Sequence, residues 1–167
     1  MKKHIRIFAS MLAVCVLTLS LSACTLTETE ESADQPDVFA EVYNDGITAV
    51  ETRRLIRLPG SSSETEYCFL EVRLTNSGTE PVYYSSLLCL KASSGDTVLP
   101  TNNAVAANNA AAAAIADYTT LDGEISPGES AEGFVFFEAP AGLTEFDISL
   151  ATDFGAGEWI SFSCAAQ

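Results

Sequence analysis

An all-β fold, an antiparallel sandwich of about seven or eight strands, is predicted for residues 38–167 by three observations. Short runs rich in β-branched and aromatic residues recur along this stretch. Several alternate apolar and polar residues with period two, the pattern of a strand with one face buried. Gly, Pro, Asn and Asp punctuate the runs at sandwich-like spacing, and little of the sequence favours helix.

The elements follow in order. Asn44-Asp45-Gly46 is a tight-turn signal, because Asn and Asp bond their own backbone and Gly supplies positive φ. Ile47 to Leu58 carries Ile47, Val50, Leu55 and Ile56 among charged residues and is read as a strand of ambiguous period. Pro59 to Ser63 is a loop. Tyr67 to Asn76 is the clearest strand: Cys68, Leu70, Val72 and Leu74 face one way, and Glu71, Arg73 and Thr75 face the other. After the Asn76-Ser77-Gly78 turn, Pro81 to Ala92 is read as one strand holding Val82, Tyr83, Tyr84, Leu88 and Leu90. Ser93 to Asp96 is a hairpin turn into the short strand Thr97-Val98-Leu99, which Pro100 stops.

Residues 101–116 differ from their surroundings, with nine alanines and four asparagines. Alanine favours helix, but so short a helix is marginal in isolation. The expectation is a long, partly helical connection crossing between sheets. Asp122-Gly123 and Ser126-Pro127-Gly128-Glu129 are read as turns, the second of type II. Ala131 to Glu138 is an apolar strand without alternation, so both its faces should be covered. Phe146, Ile148 and Leu150, then Ile160, Phe162 and Cys164, mark two half-buried strands.

Three segments carry a family likeness: Phe69 to Asn76, Leu88 to Asp96, and Ile125 to Pro140. Together they resemble the telokin-like, immunoglobulin-like domains of surface lipoproteins, mostly of Gram-positive bacteria. That resemblance spans about residues 47–162 and implies an extracytoplasmic immunoglobulin-like sandwich with no catalytic residues. The alanine-rich connection departs from the pattern. Fold likeness alone assigns no function.

The N-terminus points to the same compartment. Lys2, Lys3 and Arg6 precede an apolar run from Ile7 to Leu21, followed by small residues, as in a secretory signal peptide. The run is shorter than the ~20 residues of a membrane-spanning helix. Leu21-Ser22-Ala23-Cys24 resembles the lipobox of bacterial lipoproteins. That likeness implies recognition of Leu21, Ser22 and Ala23 by a signal peptidase, cleavage before Cys24 and a diacylglyceryl thioether on Cys24. The organisation expected is a cleaved signal peptide at 1–23, an acidic flexible tether at 24–37 and the sandwich at 38–167. The tether is too polar to bury a core.

Cleavage would leave 144 residues with all 23 acidic and 5 basic side chains, a formal charge of −18. Such a chain is repelled by nucleic acid. The single histidine, His4, lies in the leader, so the remainder holds no imidazole for a Ser-His-Asp nucleophile or a histidine-based zinc site. Cys68, Cys89 and Cys164 remain after lipidation. One pair could oxidise outside the cytoplasm, or all three could be buried thiols. Cys68–Cys164 is the favoured pair, because both positions fall on predicted buried faces. Tyr83, Tyr84, Tyr118 and Trp159 are the candidate interaction surface.

The expected function is a lipid-anchored, non-catalytic binding or structural module on the extracytoplasmic face of the cell membrane. No cofactor is expected, and the partner would be a protein or another envelope component. The alternative is a calcium-dependent or carboxylate-based hydrolytic surface protein, built on Asp117, Asp122, Glu124, Glu129 and Glu132.

Overall fold

The computed structural model describes residues 38–151 and 158–165. The expected signal peptide and tether, and the lipobox-like Leu21-Ser22-Ala23-Cys24, lie outside the described residues. Among those described, no helix is long and apolar enough to cross a membrane.

The chain forms an all-β sandwich with one helix. The strands are β1 (Ala40–Asn44), β2 (Thr48–Pro59), β3 (Thr65–Asn76), β4 (Val82–Ser85), β5 (Leu90–Ser94) and β6 (Thr97–Leu99). Helix α1 (Ala104–Ala114) follows, then β7 (Asp122–Ile125), β8 (Ser130–Pro140), β9 (Glu145–Ala151) and β10 (Trp159–Ala165). One sheet has the order β1-β2-β3-β8, the other β10-β9-β5-β6, and β4 pairs with β7 in a small third sheet. All strand pairs are antiparallel. The described residues thus contain ten strands, where seven or eight were expected.

One of the extra strands comes from the segment 81–92. It is not one strand but two, broken at Ser86–Cys89. The Asp122 carboxylate accepts the Ser86 N–H at 2.8 Å, and the Cys89 N–H bonds the Ser85 carbonyl at 2.8 Å. The turn sends β4 to β7 and β5 to β9. It also turns Leu88 outward and Cys89 inward, the reverse of the expected alternation. Asp122-Gly123 sits within β7 rather than in a turn.

Between the two main sheets lies a core of Val50, Cys68, Leu70, Val72, Leu74, Val135, Phe137, Phe146, Ile148, Leu150, Ile160 and Phe162, with Tyr84 and Leu121 closing one side. These are the inward residues of each alternating strand. The outer face of the first sheet carries a second cluster that the alternation in β3 did not predict. Leu58, Tyr67, Phe69, Phe134 and Phe136 pack there under Ala107, Ala111 and Ile115 of the α1 segment. The alanine-rich connection does cross between sheets, from β6 of the second to β7 of the small third, and on the way its helix lies on this face. Three small or apolar residues at four-residue spacing form one helical stripe, and the helix carries no charged residue.

Two polar devices hold this arrangement. The first is a bulge in β2. Thr52 pairs with Val72 and Leu55 with Leu70, so Arg53 and Arg54 together oppose Glu71. Before the bulge Val50 faces the inter-sheet core; after it, Ile56 and Leu58 face the helix. The extra residue breaks the period of the sequence, which is why 47–58 reads ambiguously. Glu71 is buried and bonded by Arg53 Nε and Arg54 Nε, each at 2.8 Å, and by a second Arg53 nitrogen. Burial pushes its carboxyl upward, but the two guanidinium groups outweigh that and hold it below the usual carboxylate range.

The second device is Glu138, also buried. Its carboxylate accepts the Ser61 N–H at 2.8 Å, the Ser61 and Thr65 hydroxyls, and the Asn103 amide at 3.3 Å. It therefore ties the β2–β3 loop to the start of α1. Asn103, at the helix N-cap, makes no side-chain cap; its amide N–H donates to Glu138. Burial raises the Glu138 carboxyl, yet these donors bring it down to about 2.

At the opposite end, Asn76 joins two loops. Its amide donates to the carbonyls of Glu80 at 2.8 Å and Ile125 at 2.9 Å, and its Oδ1 accepts the Gly78 N–H at 3.0 Å. Its backbone bonds Gly128 and Glu129. Gly128 has φ +82°, as the second central residue of a type II turn requires. The Thr-Asn segment and the Pro-Gly turn, separate motifs in the sequence, thus interlock.

Four outcomes are expected. Asn76→Ala should cost about 2–4 kcal/mol in urea denaturation, since it strips partners from buried carbonyls. Deleting Arg54 should leave a regular strand with every face preserved and cost about 1–2 kcal/mol, because Arg53 still meets Glu71. Deleting Ile56 should abolish the cooperative transition, because it turns Arg57 toward the aromatic cluster. Finally, the Glu138 carboxyl titrates lower in the folded state than in the unfolded chain. Its contribution is complete above pH ~4.5 and lost as pH falls toward 2. Glu138→Gln should therefore be less stable than the parent at pH 6 by about 2–3 kcal/mol, and the gap should close near pH 2.

Candidate functional site

The four aromatics proposed as an interaction surface do not form one. Tyr84 is a core residue, 2% exposed, packed opposite Gly123, and its hydroxyl has no hydrogen-bond partner among the described residues. The alternation in β4 turns Tyr84 inward and leaves Tyr83 outside, where it is 39% exposed. Tyr118 belongs to the helix–sheet cluster. Its ring packs edge-on against Phe69 at 5.8 Å and beside Phe134 at 5.5 Å. Its hydroxyl donates to Asn108 Oδ1 at 2.6 Å, pinning the helix, and burial pushes its pKa up to about 12. Trp159 is half-buried at the start of β10, with Lys91 Nζ 3.7 Å from its ring centroid.

The cross-link favoured between Cys68 and Cys164 is not formed: Cys68, Cys89 and Cys164 are free thiols. Cys68 stands opposite Phe137 and Cys164 opposite Phe146. The two rings meet at 5.0 Å, so an aromatic pair joins the sheets at this level. Burial raises Cys68 to about 12 and Cys164 to about 11, which leaves little thiolate at neutral pH.

The acidic residues gathered in sequence between 117 and 132 are dispersed in space. Asp122 caps Ser86, Glu132 bonds Arg73, and Glu124 pairs with Tyr83 across β4 and β7. Among the described residues, no group of three or more His, Cys, Asp or Glu side chains could hold a metal ion. Arg73 spans Glu51 and Glu132 on the flanking strands, with its guanidinium 4.0 Å from the Phe39 ring centroid. Arg57 pairs with Glu66 and bonds the Leu143 carbonyl. All four arginines among the described residues thus hold ion pairs within the first sheet.

What the fold leaves unusual is an edge. The sandwich has four outer strands, β1, β8, β10 and β6. β1 is five residues long, with a bulge at Glu41–Tyr43 and a charged residue. β6 has three residues and ends at Pro100. β8 is covered: the Phe134 N–H bonds the Thr119 carbonyl at 2.8 Å, the Phe134 carbonyl accepts Leu121 N–H at 3.2 Å, and the Glu138 N–H bonds Pro100 at 2.8 Å. Gly133 makes that cover possible, because a Cβ there would lie 2.6 Å from the Leu121 nitrogen. β10 has none of these guards. Its seven residues pair with β9 without a register shift and include no charge, proline or glycine. Among the described residues, no further strand pairs with it.

Two recesses flank its last three residues. One, of about 210 Å³, opens between the sheets beside Val42, Arg53, Arg54, Leu55, Leu70 and Cys164. The other, of about 290 Å³, lies by Glu145, Asp147 and Ser163. Sequence reading did not find this site. Its signal was the absence of charge across Trp159-Ile160-Ser161-Phe162-Ser163-Cys164-Ala165, which marks an edge only once the strand order is known.

Solved structures with the same fold include ycdA, a candidate lipoprotein from Bacillus subtilis, with 15% identity and a TM-score of 0.54. The alignment covers 79% of this chain but only 39% of that one, so this chain spans about two fifths of its length. The yjhA protein of Bacillus subtilis aligns at 11% identity and a TM-score of 0.52, covering 80% of this chain and 99% of that one. At these identities the likeness concerns the fold alone. No curated protein matches the chain. Residues 41–159, well over half the length, match the family described as a domain of unknown function (DUF4352). The chain belongs to the DUF4352 family.

Proposed function

We propose that this chain is a lipoprotein held by a lipid on Cys24 at the extracytoplasmic face of the cell membrane, and that its sandwich is a non-catalytic binding module of the telokin-like, immunoglobulin-like type. The observation that carries the anchoring is Leu21-Ser22-Ala23-Cys24 at the end of a basic-then-apolar leader. Two acyl chains at about 0.8 kcal/mol per buried CH₂ give a stable anchor where one is marginal. The formal charge of −18 after cleavage would keep the body off an anionic membrane surface.

The binding role is supported by how the reactive groups are used. The arginines are engaged in ion pairs, Glu71 and Glu138 are structural clasps, and Cys68 and Cys164 are high-pKa thiols. The unguarded β10 edge is the feature suited to a partner. Likeness to ycdA, itself a candidate lipoprotein, supports the compartment.

Cys24→Ala should release the protein from the membrane fraction. Mass spectrometry of the native protein should show a mature N-terminus at Cys24 carrying a diacylglyceryl mass, absent from the variant. An unmodified Cys24 thiol in the native protein, or equal membrane retention of the variant, would refute the anchoring.

A further inference from the structure

We propose that the outer edge of β10 accepts an extended polypeptide segment as an added strand: a basic segment that aims an apolar residue into the recess between the sheets. This rests on the reading of the domain as a binding module, and specifies where and what it binds.

The edge itself narrows the partner's chemistry. A free strand edge offers a row of backbone N–H and C=O groups, and an extended backbone is what matches them. β1, β6 and β8 are closed by a bulge and charge, by shortness and proline, and by a covering segment. β10 is longer than β1 and β6 and stays in register throughout.

The recesses specify side chains. An added strand presents alternate residues to opposite faces. On the inner face, the recess of about 210 Å³ is lined by Val42, Leu55, Leu70 and the Cys164 thiol, a volume suited to one branched aliphatic side chain. Arg53 and Arg54 also border it, but their guanidinium groups bond Glu71. On the outer face, Asp147 and Glu145 border the second recess, and Ser161 and Ser163 are exposed beside them. Asp147 accepts the Ser163 hydroxyl at 2.8 Å, which leaves carboxylate lone pairs facing solvent. Lysine or arginine at the outward positions of the added strand would meet these carboxylates. The acidic body, with 18 acidic residues against 5 basic over 38–167, steers a cationic segment toward it and repels an anionic one.

The test uses the full chain in detergent and a fluorescent heptapeptide of alternating lysine and leucine. A second peptide of the same sequence is N-methylated at alternate amides, which preserves charge and apolarity but removes strand donors. The unmodified peptide should bind with at least tenfold higher affinity than the methylated one. Hydrogen exchange should show new protection of the amides within 160–165. Ser161→Lys/Ser163→Lys, both at exposed positions of the edge, should weaken binding at least tenfold. Thr97→Lys/Val98→Lys on β6, which adds the same charge elsewhere, should change it less than twofold.

Equal binding of the two peptides, or equal loss in the two double variants, would mean simple charge attraction and would overturn the proposal. So would protection elsewhere than β10. Protection of 160–165 without peptide, in a chain that sediments as a dimer, would make the occupant a second copy and equally overturn it. None of these results touches the lipid on Cys24, and binding through another face would leave the module reading standing while removing β10 from it.

Discussion

A buried carboxylate opposite two arginines organises the first sheet. Glu71 lies in β3, between β2 and β8, where a single negative charge would be costly to bury without partners. The bulge supplies Arg53 and Arg54 from the neighbouring strand, and the pair leaves that spot cationic overall at the margin of the helix-covered aromatic layer. Arg54 also lies 5.6 Å from the Phe134 ring centroid, so the ion cluster grades into the hydrophobic one. Polar and apolar halves of one sheet face thus share a border made of two guanidinium groups. Because those groups take an extra residue, β2 can serve the inter-sheet core with Val50 and the helix layer with Ile56 and Leu58.

Much of the architecture was legible in the sequence because alternation survives wherever one face meets the core. Cys68-Leu70-Val72-Leu74, Phe146-Ile148-Leu150 and Ile160-Phe162 all face inward as read, and the Pro127-Gly128 turn forms. The uniform apolar run at Phe134–Phe137 reports burial on both sides, and the second layer was there to find. What covers it was not, because alanines at 107 and 111 give no amphipathic signal: methyl groups suit both a buried stripe and a solvated one. The break at 86–89 was hidden because it is set by Asp122, some 36 residues away in sequence.

The candidate site was less legible for a related reason. Aromatic residues were read as surface because such residues favour interfaces, yet strand phase buries Tyr84, and the helix claims Tyr118. Edges depend on strand order, a non-local property. Nothing within 159–165 says that β10 lies at the margin of its sheet, whereas the guards on β1 and β6 are local and visible as a charge and a proline.

The helix laid over the first sheet makes β3 and β8 the middle of a three-layer stack, flanked by the second sheet on one side and α1 on the other. Their backbone amides are shielded from both directions, while those of β9 and β10 have solvent on one face. Exposing β3 means parting both clusters at once, an event close to global unfolding. The alanine segment, marginal as a helix by itself, thereby converts a two-layer fold into one whose central strands are the last to open to solvent.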